Sequence, residues 1–171
     1  MGRASSRENK NAYQLAREAQ QLSRDKASQE LEWISPERIE RIESEKVVPH
    51  PDEVCHMADV YKDPTLCNEY CSTQCPIGVR YVHKIKVTEL SQTVLEMLAY
   101  LNAAQKQTER FVEITVDGKI NDDELTDFVK IQKDLEHLSV AIETLKLWSE
   151  QMMARGQINL ELYQELMDRQ S

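Results

Sequence analysis

The sequence predicts an all-α fold in which five short helices precede a long antiparallel helical hairpin and a short terminal helix. Three observations support this expectation. The 171 residues include only four glycines and five prolines, which is few for a protein of strands and tight turns. Apolar residues recur every three or four positions through most of the chain, as on one face of a helix. Two long segments carry that spacing as heptads, and Asp117-Gly118, a dipeptide typical of turns, separates them.

Start signals divide the first part of the chain into five short helices. The first begins near Asn11, where the helical spacing of apolar residues sets in. Ser23 is a capping residue for the second. Ser35-Pro36-Glu37 combines a capping hydroxyl, a proline at the first helical position and an early acid, and therefore predicts the start of a third. Asp52 and Asp63-Pro64 predict the starts of the fourth and fifth.

The second half of the chain has the pattern of two long helices that pack along a heptad seam. The first seam comprises Leu90, Val94, Met97, Leu101, Ala104, Thr108 and Phe111. The second comprises Phe128, Ile131, Leu135, Leu138, Ile142 and Leu145. Apolar residues beside these seams predict a further contact, with the first domain or with a second copy, through Leu95, Leu98, Val129, Leu147 and Trp148. Gly156 is expected to end the second helix, and Asn159 to cap a last short one.

Composition divides the chain into four parts: a flexible arm at 1–10, a helical domain at 11–62, a cysteine-rich connector at 63–86 and the hairpin at 87–171. The net charge of −9 is unevenly distributed. Residues 1–48 contain nine Lys or Arg and nine Asp or Glu, whereas residues 87–171 contain eight against sixteen. An acidic surface repels phosphates, so any contact with nucleic acid is expected in the first part.

Several classes of protein do not fit this sequence. The apolar runs are only a few residues long, so no membrane span is predicted. The first ten residues lack the apolar stretch of a secretory signal, and we therefore expect a cytoplasmic protein with reduced cysteines. The four histidines are scattered along the chain, and no nucleophile motif or glycine-rich phosphate loop occurs. The sequence therefore predicts that the protein is not an enzyme.

The segment from Leu22 to Tyr61 resembles the lambda-repressor-like, or xenobiotic-response-element, helix-turn-helix family of transcription regulators. The matching positions are Leu22-Ser23, Ser35, the run Ile39 to Glu43, Lys46, Pro49 and the apolar helix Val54 to Tyr61. The whole chain also resembles uncharacterised helix-turn-helix proteins of Firmicutes with a cysteine-rich middle and a helical tail. The resemblance implies that residues 11–62 form a helix-turn-helix DNA-binding domain, part of a five-helix bundle, whose third helix, the recognition helix, enters the major groove of DNA.

The resemblance also implies roles for individual residues. The candidate base contacts lie at the exposed start of the recognition helix and are Ser35, Glu37, Arg38 and Arg41. The remaining candidates for DNA contact are Arg24 and Lys26, which would reach phosphates from the start of the second helix, and the family's basic residue Lys46. Glu43 would support the core. The family's glycines in the turn and after the recognition helix fall at Trp33 and Glu45.

Four cysteines form the other candidate site. Cys67, Cys71 and Cys75 recur at intervals of four, and Cys55 precedes them by twelve residues. On one continuous helix, Cys67 and Cys75 would lie about 12 Å apart along the axis, too far to share one zinc ion. If the helix ends near Ser72, Cys75 can fold back, and the fourth ligand would be Cys55, His56 or His83. The alternatives are an iron–sulfur cluster, a reversible disulfide, or small side chains that pack under the bundle.

Together these features predict a sequence-specific, repressor-like transcription regulator that binds double-stranded DNA as a homodimer. The dimer is expected because one small domain that reads a half-site rarely gives enough specificity alone. The alternative is a protein-interaction module that uses the helix-turn-helix fold and the acidic helical half to bind a bacterial or phage protein.

Overall fold

The computed structural model describes residues 10–169, and within them ten helices and no strand occur, which confirms the all-α class. The predicted flexible arm at 1–10 lies outside the described residues except for Lys10. The helices are α1 Ala12–Ala19, α2 Arg24–Glu30, α3 Pro36–Glu43, α4 Pro51–Val60, α5 Thr65–Thr73, α6 Gly78–Tyr81, α7 Leu90–Lys106, α8 Thr108–Thr115, α9 Leu125–Ala154 and α10 Leu160–Asp168.

The chain divides into two compact units. The first comprises the described residues up to Lys84 together with those from Ser149 onward, and the second comprises Ile85–Trp148. In the first unit, α2 packs on α3, α1 on α3 and α5, and α4 on α5. Their buried side chains form one core, made by residues from each of these five helices and from the turn between α2 and α3. The largest fully buried members are Tyr61, Leu31, Ile34, Ile39, Ile42, Met57 and Leu66.

Side-chain caps fix where the first helices begin. The Asn11 side chain accepts a hydrogen bond from the backbone N–H of Gln14, and the Ser23 hydroxyl accepts one from Lys26. Ser35 caps α3 in the same way, with Pro36 as the first helical residue. Each cap satisfies an N–H that has no partner inside its helix. The fourth helix begins at Pro51, one residue before the predicted Asp52, because proline is favoured at a first helical position.

Left-handed backbone follows each of the first four helices without glycine, at Gln21, Glu32, Glu45 and Lys62. Glu32, in the turn between α2 and α3, has φ 57°, and Glu45, after α3, has φ 59°. The turn glycine that the family resemblance assigned to Trp33 therefore corresponds in conformation to Glu32, one residue earlier. Only glycine adopts this region without a steric cost, so both glutamates carry local backbone strain.

The connector after α5 contains a short helix, α6, that the sequence did not predict. α5 extends to Thr73, and Cys75 lies in the turn that follows. Gly78 opens α6 so close to α5 that an added Cβ would lie 2.0 Å from the Cys71 carbonyl oxygen. Glycine is therefore required here by the close approach of two backbones.

The second unit is an antiparallel pair in which α7 and α8 run against α9. Tyr100 stacks at a tilt on His137, with ring centroids 5.1 Å apart. The Gln107 amide donates to the Asp134 carboxylate. Further along, Arg110 Nε donates to Asp127 at 2.7 Å. Later residues of the first arm thus meet earlier residues of the second, as antiparallel packing requires. The first arm is broken at Gln107 into two helices, where one continuous helix was expected.

The contact between these helices does not follow the predicted heptad seam. Tyr100, Gln107 and Asp134 each lie one position before a predicted seam residue, and these are the side chains that meet. The predicted seam residues Leu101 and Ile142 remain 43% and 49% exposed. The heptad period is therefore present, but the apolar stripe it makes lies beside the contact between the helices. Polar and aromatic pairs lie in the contact itself, and of the predicted seam residues Ile131 is buried.

Glycines with left-handed backbone form the turn of the hairpin and the end of α9, as the sequence predicts. Gly118 and Gly156 have φ 71° and φ 70°, and the Asn159 side chain caps α10 as predicted. Of the predicted additional apolar contacts, Leu147 is buried, whereas Leu95, Leu98 and Val129 are exposed. No helix in residues 10–169 is long and apolar enough to cross a membrane.

Candidate nucleic-acid interface

The candidate interface is built on α2 and α3, joined by a turn from Leu31 to Ile34. Ala27 and Leu31 on one side, and Ile39 and Ile42 on the other, are buried in the core and fix the two helices against each other. The opposite face of α3 is left to polar residues. The Ser35 hydroxyl is used as the N-cap of α3, and Glu37 and Arg41 are exposed one turn apart on one side of the helix.

Arg38 is engaged within the protein. Its Nε and Nη2 atoms donate to the two carboxylate oxygens of Glu53, each at 2.7 Å, and Nη2 also reaches the Val48 carbonyl at 3.4 Å. Glu53 in turn accepts the backbone N–H of His50 at 2.7 Å. Hydrogen bonding to Arg38 holds the pKa of Glu53 below its usual range, and the same bond raises the pKa of Arg38. A base contact by Arg38 would require this pair to open.

Arg24 is also engaged, in a buried cluster around Glu43. Arg17 Nε donates to Glu43 at 2.5 Å, its Nη2 donates at 3.1 Å, and Arg24 Nε donates at 2.8 Å. The Glu43 side chain is 1% exposed. Burial opposes the charged form of Arg17, but the hydrogen bond and charge of Glu43 outweigh it, so the pKa of Arg17 is raised. Glu43 therefore connects α3 to α1 and to the first residue of α2.

The remaining cations differ in their availability. Lys46 pairs with Glu40 at 3.2 Å on the surface, a contact of little energetic weight. Arg41 and Lys26 are exposed, and within residues 10–169 neither side-chain cation has a hydrogen-bond or ion-pair partner. Of the predicted DNA contacts, these two are the cations free to meet an external anion.

An aromatic pair covers the turn between α2 and α3. Trp33 stacks nearly parallel on the His56 ring, with centroids 5.8 Å apart and planes 12° apart. A ring nitrogen of His56 lies 3.2 Å from the Leu31 carbonyl oxygen. The pair links the turn to α4. His56, which the sequence analysis named as one alternative for the fourth metal ligand, is thus engaged with Trp33 and with the Leu31 carbonyl.

The four cysteines are unpaired thiols that lie at the edge of the same core. Cys55 is exposed, and Cys67, Cys71 and Cys75 are half-buried against the core. Burial, and then the neighbouring Cys55 and Asp59, raise the pKa of Cys67 to about 12. Burial followed by Cys75 and Cys55 raises the pKa of Cys71. The Cys75 sulfur accepts the backbone N–H of Gly78 at 3.4 Å.

This arrangement brings the thiols near one another without forming a ligand shell. In the described part of the chain, no group of three or more His, Cys, Asp or Glu side chains is arranged to hold a metal ion. Cys67 and Cys71, half-buried and with raised pKa values, are suited to packing as neutral thiols, whereas a zinc or iron–sulfur site needs its cysteines as thiolates. Zinc and iron–sulfur binding remain predictions that metal analysis of the purified protein must decide.

Sequence reasoning did not identify three of the residues that organise this interface. Arg17 and Glu53 carried no predicted role, and Trp33 was noted only as the position of the family's turn glycine. A pattern search could have found Glu53, because an acid at the third position of a helix commonly returns to the capping residue. The Arg17–Glu43 pair spans 26 residues of sequence and has no local signal.

Comparison of the chain with family models, with curated proteins and with solved structures yields no match.

Proposed function

We propose that residues 11–62 are a DNA-binding module of the helix-turn-helix type and that the protein is a repressor-like transcription regulator. The observation that carries the proposal is the outer surface of α2 and α3, where the exposed cations of Arg41 and Lys26 have no partner among the described residues. A recognition helix needs a polar, projecting start and an unoccupied donor that can reach base edges, and Arg41 is such a donor.

The proposal assigns different roles to the two cations. Arg41 would read a base, with guanine as its favoured partner, while Glu37 one turn earlier could accept from cytosine. Lys26, in the first turn of α2, would contact a phosphate and set the register without reading sequence. Arg38 and Arg24 would act indirectly, because their pairs with Glu53 and Glu43 hold α3 and α2 in position.

The test starts by selecting bound duplexes from a random double-stranded DNA library with the full-length protein. Binding of the selected duplex and of a scrambled duplex is then measured by fluorescence anisotropy over a salt series. We expect Arg41→Ala to lower affinity for the selected duplex about tenfold or more while hardly changing affinity for the scrambled one. Lys26→Ala should weaken both about equally and reduce the salt slope by about one.

Arg155→Ala is the matched control, because Arg155 is an exposed arginine after α9, outside α2 and α3 and outside the contact between the hairpin helices. It should leave both affinities unchanged. Absence of any duplex binding at low salt would contradict the proposal, as would equal effects of Arg41→Ala and Arg155→Ala.

A second function, binding of a protein partner, is favoured by a different observation. Of the five candidate DNA-contacting cations, Arg24, Arg38 and Lys46 are paired with carboxylates of the same chain. That neutralisation weakens attraction to phosphates, and the acidic second half of the chain suits a basic protein. Affinity capture followed by cross-linking mass spectrometry separates the two functions: cross-links from Lys26 to a protein favour the second, and enrichment of DNA favours the first.

A further inference from the structure

The hairpin presents an apolar surface that its own helices leave uncovered. We call it the hairpin face and define it by the two heptad stripes, which comprise Leu90, Val94, Met97 and Leu101 on α7 and Leu135, Leu138, Ile142 and Leu145 on α9. Ile131, at the start of the second stripe, is buried and is not part of this face. Leu90, Leu101, Leu135 and Ile142 are exposed, although they occupy the positions that a heptad reserves for contact.

Helix geometry places both stripes on one side of the hairpin. Successive residues of an α-helix are rotated by about 100°. Leu101 follows the contact residue Tyr100, and Leu135 follows the contact residue Asp134. Each stripe is therefore displaced from the contact by the same rotation about its helix axis, viewed from the N-terminus of that helix. Because the two helices run in opposite directions, these rotations bring both stripes to the same face. A two-helix hairpin cannot cover that face itself.

The charge pattern of the helices keeps the edges of the hairpin face free of acid. Along each stripe, the position after a residue that precedes a step of four lies at the outer edge of the face. These positions hold Ser91, Leu98, Gln105 and Val112 on one arm and Gln132, Ser139 and Lys146 on the other, and the equivalent position one heptad earlier on the second arm holds Leu125. None is a carboxylate, although residues 87–171 contain sixteen. Asp127 and Asp134 lie in the contact between the helices, where Arg110 and Gln107 bind them. Two copies can therefore meet at this face without opposing like charges.

The size of the face also fits a second copy. The stretch Leu125–Trp148 of α9 is about 36 Å long, and two adjacent helices are about 20 Å wide. Such a surface is comparable to the about 800 Å² per partner that stable complexes bury. A four-helix bundle needs two further apolar stripes of the same length, and a second hairpin supplies both through a two-fold axis.

We propose that the hairpin face is a homodimer interface, in which two copies of residues 85–148 form an antiparallel four-helix bundle. This deepens the proposed function, because reading two DNA half-sites requires a dimer. The biological role given to the dimer rests on the proposed function, whereas the interface itself is argued from the hairpin alone. The interface is built from the heptad stripes themselves. Leu95, which lies one position beyond Val94 and is 68% exposed, points away from it.

The test is the oligomeric state of the full chain in the absence of DNA, measured by sedimentation equilibrium over a concentration series. Wild type should be dimeric. Leu101→Glu and, separately, Ile142→Glu should raise the dimer dissociation constant at least about a hundredfold, because two-fold symmetry introduces the charge twice. Both side chains are substantially exposed within one chain, so the helical circular dichroism signal should be retained.

Leu95→Glu is the matched control and should remain dimeric, since it adds the same charge to the same helix away from the face. A monomeric wild type, a dimer that survives both stripe variants, or equal disruption by Leu95→Glu would overturn the proposal. Arg41→Ala should also remain dimeric, so loss of DNA binding and loss of the dimer are separate results.

Discussion

The guanidinium of Arg38 on α3 is held at two points by the carboxylate of Glu53 on α4, with both N–O distances at 2.7 Å. Bidentate pairs of this kind fix orientation as well as distance. Glu53 is in turn anchored by the backbone N–H of His50. The exposed start of α3 is therefore held by α4, and Arg38 acts on the candidate interface through the position of α3.

Arg38→Ala is expected to reduce the free energy of unfolding by about 1–3 kcal/mol, because Glu53 would keep its burial and lose its charged partner. Urea unfolding followed by circular dichroism gives this value. Arg41→Ala, one turn further along the same helix, is the control and should change stability by less than about 0.5 kcal/mol. Equal losses for the two variants would show that the Arg38–Glu53 pair contributes nothing specific.

The same pair predicts loss of stability in acid. Hydrogen bonding to Arg38 lowers the pKa of Glu53 in the folded protein below the ordinary value of 4.5. A carboxyl group with a lowered folded pKa contributes stability that is complete above the unfolded pKa, and this contribution disappears as pH falls through the folded pKa. Unfolding free energies measured between neutral pH and about pH 3 should fall less steeply for Glu53→Gln than for wild type. Parallel curves for the two proteins would refute the assignment.

A larger effect is expected at Glu43, where a carboxylate with a 1% exposed side chain accepts from both Arg17 and Arg24. Glu43→Gln removes the charge that compensates a buried guanidinium, and it should cost about 3–5 kcal/mol in unfolding free energy. Glu40→Gln breaks only the exposed pair with Lys46 and should cost less than about 1 kcal/mol. The ratio of the two losses in unfolding free energy, measured in the same urea titrations, tests whether burial determines how much each ion pair contributes to stability.

These pairs show where sequence reasoning succeeds in this protein and where it fails. Ser23, Ser35 and Asn159 were identifiable as caps because capping acts over three residues and its signal is local. The all-α class followed from a periodicity that extends over most of the chain. The ion pairs of Arg38 with Glu53 and of Arg24 with Glu43 were not predictable, because the partners are 15 and 19 residues apart in sequence and no local pattern links them.

The hairpin illustrates a different limit. The heptad period correctly identified the apolar stripes, since period is a property of each helix alone. The period does not state which neighbour a stripe faces. Tyr100 and Gln107 on the first arm meet His137 and Asp134 on α9, and the exposed stripe residues Leu101 and Leu135 lie beside them. The rotation of each helix about its axis therefore could not be read from its period alone.

Thiol reactivity offers a test of the cysteine arrangement. Cys55 is exposed, whereas burial and then the neighbouring Cys55 and Asp59 raise the pKa of Cys67 to about 12. Only the thiolate is alkylated, so the raised pKa of Cys67 and its partial burial both slow its reaction at about pH 8. Iodoacetamide labelling of the chelator-treated protein, read by peptide mass spectrometry, should therefore modify Cys55 first and Cys67 much later.

Rapid modification of Cys67 in the folded protein would contradict this order. Metal analysis of protein purified without oxygen addresses the competing prediction for the same cysteines. Stoichiometric zinc or iron would support a ligand role for Cys55, Cys67, Cys71 and Cys75, and a metal-free, fully folded protein would exclude it.

Glu45 gives a prediction of increased stability. It follows α3 with φ 59°, a conformation in which a side chain clashes with the neighbouring backbone at a cost of about 1–2 kcal/mol. Glycine removes the clash but gains freedom in the unfolded chain, which returns about 0.5–1 kcal/mol. Glu45→Gly should therefore raise the unfolding free energy by up to about 1 kcal/mol. Gln29→Gly, at an exposed position within α2, should lower it by about 1 kcal/mol. Opposite signs for these two glycine substitutions, measured by the same urea titration, would establish that the left-handed residue after α3 is strained, and a loss of stability in both would show that it is not.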